Sequence, residues 1–146
     1  MSMENRRAVL VTHRFSASAE RVFDAWLDPA KAGRFLFATP QGRMVRAEID
    51  ARVGGSFVFT DRRDGEDIEH KGQYLEMDRP RRLVFTFAVA APSFSAETTQ
   101  VTIEITPLAV GCELSLTHEG VLPDYAERTQ SGWKMILENL SSRLRA

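Results

Sequence analysis

Three histidines and one tyrosine are the side chains of this sequence best suited to acid–base chemistry. His13, His70 and His118 are its only histidines, and each falls at an inward position of an alternating strand pattern. Tyr74 shares the inward face of one predicted strand with His70. Together with His118, this pair could orient a ligand oxygen or transfer a proton to a substrate about 3 Å away. The alternative is that each group satisfies a neighbouring backbone or carboxylate group.

A metal site is the second chemistry that histidines suggest, because imidazole is a common ligand of zinc and iron. The spacing argues against it. The chain has no H-E-x-x-H pair, and no carboxylate lies at ligand spacing from a histidine. The sequence therefore predicts no metal site, and no motif in it predicts a cofactor.

Nucleophilic and nucleotide chemistry have little support in the sequence. Cys112 is the only cysteine, no G-x-S-x-G motif occurs, and we expect an ordinary thiol. Gly54-Gly55 precedes the strand pattern of residues 56–59 rather than the helix that a phosphate-binding loop opens. We therefore predict that the two glycines form a turn between antiparallel strands.

The elements that must position these residues are read from hydrophobic periodicity. Alternating patterns predict strands at 8–15, 43–50, 56–61, 68–78, 83–89, 99–106 and 112–120. A helix is predicted over 16–29, where Pro29 ends it and can begin a second short helix. Asp64-Gly65 predicts a two-residue hairpin turn, and residues 91–97 a loop.

The final segment, 123–146, predicts one long helix with a wide apolar stripe. Such a helix must lie on a large surface, and the dry face of the strands is the only large surface that the sequence offers. We therefore predict a curved sheet of about seven strands wrapped around this helix. An apolar gap between sheet and helix is where a ligand would bind.

Composition limits the protein class. The 146 residues are predicted to form one domain over 1–146. A net charge of −1 gives no electrostatic reason for binding nucleic acid. No apolar run reaches the roughly 18–20 residues of a membrane span, and the first residues do not resemble a signal peptide. We expect a cytoplasmic protein.

Five stretches in order carry a family resemblance: SAERVFDAWLDP (18–29), IDARVGGSFVF (49–59), GQYLEMDRPRRLVFTF (72–87), VTIEITPLAVGCELSLTHEG (101–120) and GWKMILENL (132–140). The chain resembles the START-like (SRPBCC) superfamily, specifically its activator of heat-shock-protein-90 ATPase homologue-like family. The resemblance implies an α+β helix-grip fold. In it, a curved seven-stranded antiparallel sheet surrounds a long C-terminal helix, with two short helices between strands 1 and 2.

The same resemblance implies a ligand cavity between sheet and helix. Most bacterial members of the family lack an assigned activity, relatives bind lipids, sterols or polyketides, and some cyclise or hydrolyse them. The inward residues expected to line the cavity are Trp26, Phe35, Phe57, Phe59, His70, Tyr74, Phe85, Phe87, His118, Gly132, Trp133 and Ile136. Where relatives often carry a tryptophan, this chain has Phe35 and Phe37.

Gly132 lies inside the final helix, where glycine costs about 1 kcal/mol relative to alanine. We expect its missing side chain to let the sheet approach closely, or to leave room for a ligand. The alternative is a glycine that is tolerated at the surface. Substitution by leucine should then destabilise the fold or abolish ligand uptake.

Three functions follow from this sequence. The first is binding of a hydrophobic or amphipathic small molecule, for which a preformed container predicts an internal void of roughly 300 Å³ or more. The second is a co-chaperone that stimulates a heat-shock ATPase, which requires a filled core and an exposed apolar patch. The third is a polyketide cyclase- or hydrolase-like enzyme using His70, Tyr74 or His118. Sheet edges or helix faces could also pair in a homodimer.

Overall fold

The architecture is seen in a computed structural model that describes residues 6–35, 42–91, 94–95 and 98–145. Its strands are β1 (Arg7–Phe15), β2 (Arg43–Ile49), β3 (Ser56–Arg63), β4 (Glu66–Asp78), β5 (Arg82–Ala91), β6 (Phe94–Ser95), β7 (Thr99–Pro107) and β8 (Cys112–Val121). Its helices are α1 (Ala19–Leu27), α2 (Pro29–Phe35) and α3 (Ala126–Arg145).

Within the described residues, seven strands form one continuous antiparallel sheet in the order β1-β8-β7-β5-β4-β3-β2. The helices α1 and α2 follow β1, and α3 follows β8. A curved sheet, two short helices and one long C-terminal helix make up the helix-grip fold, which confirms the predicted fold class. The sheet order leaves β1 and β2 at its two edges.

The observed elements differ from the predicted ones in two places. Inside the predicted loop, β6 pairs with the end of β5 as a two-residue strand. The last helix was predicted from Pro123, but Pro123–Tyr125 forms a single 3₁₀ turn and α3 begins at Ala126. The Ala126 backbone N–H donates to the Pro123 carbonyl three residues earlier, which is the 3₁₀ hydrogen-bond pattern.

Helix α1 begins at a conventional cap and buries one face. The Ser18 hydroxyl accepts a hydrogen bond from the Arg21 backbone N–H at 3.2 Å. Glu20 lies in the first turn, where the helix dipole favours a carboxylate. The buried positions Val22, Phe23 and Trp26 recur at helical spacing, so α1 carries Trp26 into the core.

The Gly54-Gly55 pair forms the turn between β2 and β3, as predicted. Gly54 has a φ of 87°, a conformation that side chains other than glycine rarely adopt. A side chain at Gly55 would meet the backbone carbonyl of Asp50. The turn also continues the β3–β4 ladder, because Gly54 N–H donates to the Tyr74 carbonyl and Tyr74 N–H donates to the Gly55 carbonyl, each at 2.9 Å. The double glycine thereby holds the backbone of Tyr74.

Candidate functional site

The inner face of β3, β4 and β5 carries one group of packed aromatic rings, which we call the Phe57 cluster. Its members are Phe57, Phe59, Tyr74 and Phe85. The Phe57 ring lies edge-on to Phe85, with 5.3 Å between ring centroids, and 5.5 Å from Tyr74. All four side chains are at least 95% buried. Alternation along each strand places them together, as the sequence predicted.

Gly72 determines how the Phe57 ring sits. A Cβ at Gly72 would lie 2.7 Å from the Phe57 ring and would also meet the Thr86 carbonyl. Gly72 is directly opposite Phe57 in the β3–β4 ladder, between His70 and Tyr74 on the same strand face. The Phe57 ring therefore fills the space over Gly72. His70 and Tyr74, proposed from sequence as a polar pair, have this ring between them.

A second group of rings, the Phe87 cluster, contains His70, Phe87, His118 and Trp133. The Phe87 ring stacks on His70 at 6.2 Å, and lies edge-on to His118 at 5.5 Å. It also lies 6.2 Å from Trp133 of α3. The structure therefore brings His70 and His118 into one cluster, with the Phe87 ring in contact with both.

His118 is held at both ring nitrogens. The Trp133 indole Nε1–H donates to His118 Nδ1 at 3.0 Å, so the neutral ring carries its proton on Nε2. That Nε2–H donates to Thr99 Oγ1 at 2.7 Å, and the Thr99 hydroxyl donates to the Phe87 carbonyl at 2.9 Å. The chain of bonds joins α3 to β8, β7 and β5. With both nitrogens engaged, His118 links these four elements through hydrogen bonds.

Burial keeps both inner histidines neutral. It lowers the pKa of His118 to about 4 and that of His70 to about 4, from an ordinary value of 6.5. The His70 Nδ1 atom lies 3.3 Å from the Phe59 carbonyl. Burial also raises the pKa of the Tyr74 hydroxyl, so that group stays protonated near neutral pH. None of the three is tuned toward the near-neutral pKa that suits a general acid or base.

Trp26 of α1 joins the two clusters and covers a small cavity. Its ring lies 6.4 Å from Trp133 and edge-on to Phe35 at 5.4 Å. The cavity wall is formed by the Phe57 cluster together with Trp26 and Leu83. The Trp26 side chain is only 2% exposed, and its Nε1–H has no hydrogen-bond acceptor in the described part of the chain. Sequence reasoning missed Leu83 as a wall residue, although it shares its strand face with Phe85.

The cavity has a volume of about 10 Å³, enough for about one water molecule. It is far smaller than the void of about 300 Å³ expected for a preformed container, because the aromatic rings close over it. A larger concavity of about 500 Å³ lies on the opposite face of the sheet. Its wall is polar and includes Arg46, Arg62, Asp67 and Glu69. Ligand binding on the inner face therefore requires the rings to move.

Asp61 is an inner-face residue that the sequence reasoning overlooked. It is fully buried, and its Oδ2 accepts a hydrogen bond from Arg63 Nε at 2.6 Å. Alternation along β3 puts Asp61 on the same face as Phe57 and Phe59, so the strand parity was the available signal. A buried carboxylate needs a charged or hydrogen-bonding partner, and Arg63 supplies one at the end of the strand.

A side chain at Gly132 would enter open space in the described structure. No atom of the described residues lies within 4 Å of the place where a Cβ would stand at Gly132. The prediction that Gly132 allows close approach of the sheet is therefore wrong for this part of the chain. The open space agrees with both remaining alternatives, room for a ligand or a glycine tolerated at the surface.

The remaining predicted residues lie around the core. Phe35 is buried beneath Trp26, and Ile136 packs against the core while partly exposed. His13 is half-buried on β1, with its ring 4.8 Å from Phe15. Phe37 lies outside the described residues. No cluster of three or more histidine, cysteine, aspartate or glutamate side chains could hold a metal ion in the portions of the chain described.

No described helix is both long enough and apolar enough to cross a membrane.

Comparison with known proteins identifies a family for this architecture. Residues 16–145 match the family described as "Activator of Hsp90 ATPase homolog 1-like protein". Among curated proteins, no relative matches the chain.

Solved structures match nearly the whole chain. Protein CV1439 from Chromobacterium violaceum superposes with a TM-score of 0.85 at 26% identity, covering 95% of this chain and 97% of its own. Mll3558 from Rhizobium loti gives 0.81 at 25% identity, covering 94% and 96%. A protein from Rhizobium leguminosarum gives 0.85 at 17% identity, covering 97% and 95%, and shows the fold alone.

Proposed function

Because the chain belongs to the activator of Hsp90 ATPase homolog 1-like family, we propose that it binds a small apolar or amphipathic molecule between its sheet and its helices. The binding site is the cavity beneath Trp26, on the inner face of β3, β4 and β5. The family and its fold support either a ligand-binding or a co-chaperone-like domain, and the geometry of the inner face favours the first.

One observation carries the proposal: the buried Trp26 Nε1–H has no acceptor among the described residues. Leaving such a donor unsatisfied in the core costs about 1–3 kcal/mol, and buried polar groups in native proteins are almost always paired. The donor belongs to a cavity wall that otherwise consists of apolar rings and one leucine. Apolar walls with a few polar groups are typical of small-molecule sites.

Because the cavity is so small, the rings around it must move apart before a ligand can bind. A ligand larger than water must displace rings of the Phe57 cluster, and each displaced ring loses packing contacts. The ligand replaces those contacts with its own apolar surface at about 25 cal/mol per Å² buried. We therefore expect slow, saturable binding of molecules with a compact apolar body.

The test is native mass spectrometry of the protein after exposure to a cell extract, with a variant that fills the cavity. Leu83→Phe adds volume to the cavity wall, whereas Val110→Phe makes a larger addition at a side chain that is 78% exposed. We expect wild type and Val110→Phe to retain the same added small-molecule mass, and Leu83→Phe to retain none. Circular dichroism confirms that all three proteins are folded. Equal retention by all three, or by none, would contradict the proposal.

A co-chaperone role is the second candidate, and the exposed apolar side chains of the described residues are the observation that favours it. Large apolar side chains that are exposed include Leu10, Val53, Val110 and Met135. An ATPase assay with a purified heat-shock ATPase separates the two functions. We expect no stimulation at saturating protein; a stimulation that Leu83→Phe preserves would favour the co-chaperone role.

A further inference from the structure

One edge of the sheet lies against α3, and the other edge is β2. At the first edge, a side chain of α3 donates a hydrogen bond to the Leu10 carbonyl of β1 at 3.3 Å. At the second edge, β2 pairs with β3 alone. The Asp50 N–H at the end of β2 donates to the Ser56 carbonyl at 2.9 Å, so the Asp50 backbone faces β3. Backbone direction alternates along a strand, so the N–H and carbonyl groups of Ala47 and Ile49 point away from β3. Such an edge is a template for a further strand.

The outer face of β2 carries one ion pair. Arg46 Nη2 donates to Glu48 Oε1 at 3.0 Å, and the two side chains are 51% and 63% exposed. Ala47, between them, faces inward, and a Cβ at Gly33 of α2 would lie 3.3 Å from the Ala47 Cβ. Helix α2 therefore packs on the inner face of β2, and the charged pair lies on the opposite face. The edge strand presents one positive and one negative side chain two residues apart.

This spacing of charges makes β2 complementary to a second copy of itself. When two β2 strands pair antiparallel about Ala47, Arg46 of each protomer lies directly opposite Glu48 of its partner. The two Ala47 residues then exchange both backbone hydrogen bonds, because their N–H and carbonyl groups face the free edge. Each arginine has one glutamate in its own strand and another across the interface, and such networks are worth more than isolated surface pairs.

The charges also select this register over its neighbours. Centring the pair on Arg46 places two arginines opposite each other, and centring it on Glu48 places two glutamates opposite each other. Like charges directly opposite are destabilising in a sheet. The other edge strand lacks the complementarity, because the charged residues of β1 are Arg7 and Arg14 and it contains no acidic residue. Two β1 strands would therefore repel each other.

We propose that the protein forms a symmetric dimer in which two β2 strands pair antiparallel about Ala47 and join the two sheets into one. The partner is a second copy of this chain, because a two-fold axis through Ala47 turns the single ion pair of β2 into reciprocal pairs between protomers. Charged side chains on an edge strand hinder pairing with unrelated strands, so the same residues give the contact its specificity. This inference does not depend on the cavity or on its ligand.

The interface predicts a weak dimer. A bulge between Met44 and Arg46 limits the regular part of β2 to residues 46–49. One short strand per protomer is smaller than the roughly 800 Å² per partner of a standard stable interface. We therefore expect a dissociation constant on the order of 100 μM, with monomers in dilute solution and dimers at high protein concentration.

The test is sedimentation velocity of the full chain over a concentration series, with charge variants of β2. Arg46→Glu makes the edge acidic and Glu48→Arg makes it basic, so each homodimer would contain two like-charged pairs in place of two opposite ones. We expect each variant alone to self-associate at least about tenfold more weakly than wild type. An equimolar mixture of the two variants should form a heterodimer at least as tightly as wild type, because opposite charges again face each other. The matched control is Arg7→Glu, the same charge change at an exposed position of β1.

A further variant guards against loss of the fold. Arg46→Glu combined with Glu48→Arg in one chain restores every opposite-charge pair, within the strand and across the interface, so it should dimerise as wild type does. Circular dichroism checks that each variant is folded.

Each other outcome overturns a stated part of the inference. Wild type that stays monomeric up to about 1 mM, tenfold above the expected dissociation constant, refutes the dimer. Equal dimerisation of wild type and both single variants shows that the contact lies elsewhere than β2. If the single variants lose self-association but their mixture forms no heterodimer, the antiparallel pairing about Ala47 is wrong. Loss of the dimer in Arg7→Glu would assign the contact to β1.

Discussion

Acid should weaken the fold through His118, and a glutamine at that position should remove the effect. His118 donates to Thr99 and accepts from Trp133, so His118→Gln preserves both bonds: the side-chain oxygen accepts and the nitrogen donates. Protonation of the histidine places a proton on Nδ1. That nitrogen can then no longer accept the hydrogen bond from Trp133 Nε1–H, and two N–H groups face each other. The variant has the same hydrogen-bond pattern and does not titrate.

The size of the stability loss in acid follows from the pKa of His118. In the folded protein the pKa of His118 is about 4, against an ordinary 6.5 for an unfolded chain. The unfolded chain therefore binds more protons between these values, and stability is lost as the pH falls from about 6.5 to about 4. At about pH 5, roughly 1.5 pH units below the ordinary value, His118 alone costs about 2 kcal/mol. Above the ordinary value this cost is absent.

Urea unfolding measured near neutral pH and again near pH 5 provides the assay. Contributions from all other titrating groups are common to both proteins, so the difference between wild type and His118→Gln isolates His118. We expect wild type to lose about 2 kcal/mol more than the variant over this range. Equal losses in the two proteins would show that His118 titrates in the same way folded and unfolded, and would refute the hydrogen-bond assignment around it.

Three further predictions concern the fold. Gly72→Ala should destabilise the protein by about 2 kcal/mol or more, because its Cβ would meet the Phe57 ring and the Thr86 carbonyl. An unchanged midpoint of urea unfolding would contradict this prediction. Gly132→Ala, in open space on α3, should instead leave stability unchanged or raise it by up to about 1 kcal/mol in the same assay, whereas a loss would show a hidden contact. Ser18→Ala should lower the free energy of unfolding by about 1 kcal/mol through loss of the α1 cap, with Ser18→Thr as the control that retains a hydroxyl.

Much of the fold could be predicted because its signals are local. Alternating hydrophobicity in strands such as residues 99–106 depends only on which face is dry, and the wide apolar stripe of α3 required a large surface. The exact ends of the helices and strands were less predictable. The 3₁₀ turn at 123–125 and the short β6 depend on which carbonyls and strand edges lie nearby, and periodicity carries no such information.

For the candidate site as well, the sequence predicts the direction of the side chains. The inward direction of Trp26, Phe57 and Tyr74 was fixed by helical and strand spacing, and the turn at Gly54-Gly55 by the strand that follows it. The same alternation along β3 places Asp61 on the inward face.

Only the tertiary structure decided what these inward groups do. His118 became a structural hydrogen-bond centre because α3 brings Trp133 within 3.0 Å of it, a contact between residues from different elements. The Phe57 ring came between His70 and Tyr74 because Gly72 offers no side chain. The cavity has only about 10 Å³ because aromatic rings from several elements occupy the same space. Sequence determines which face each side chain takes, whereas the partners and the space left between them arise when separate elements pack together.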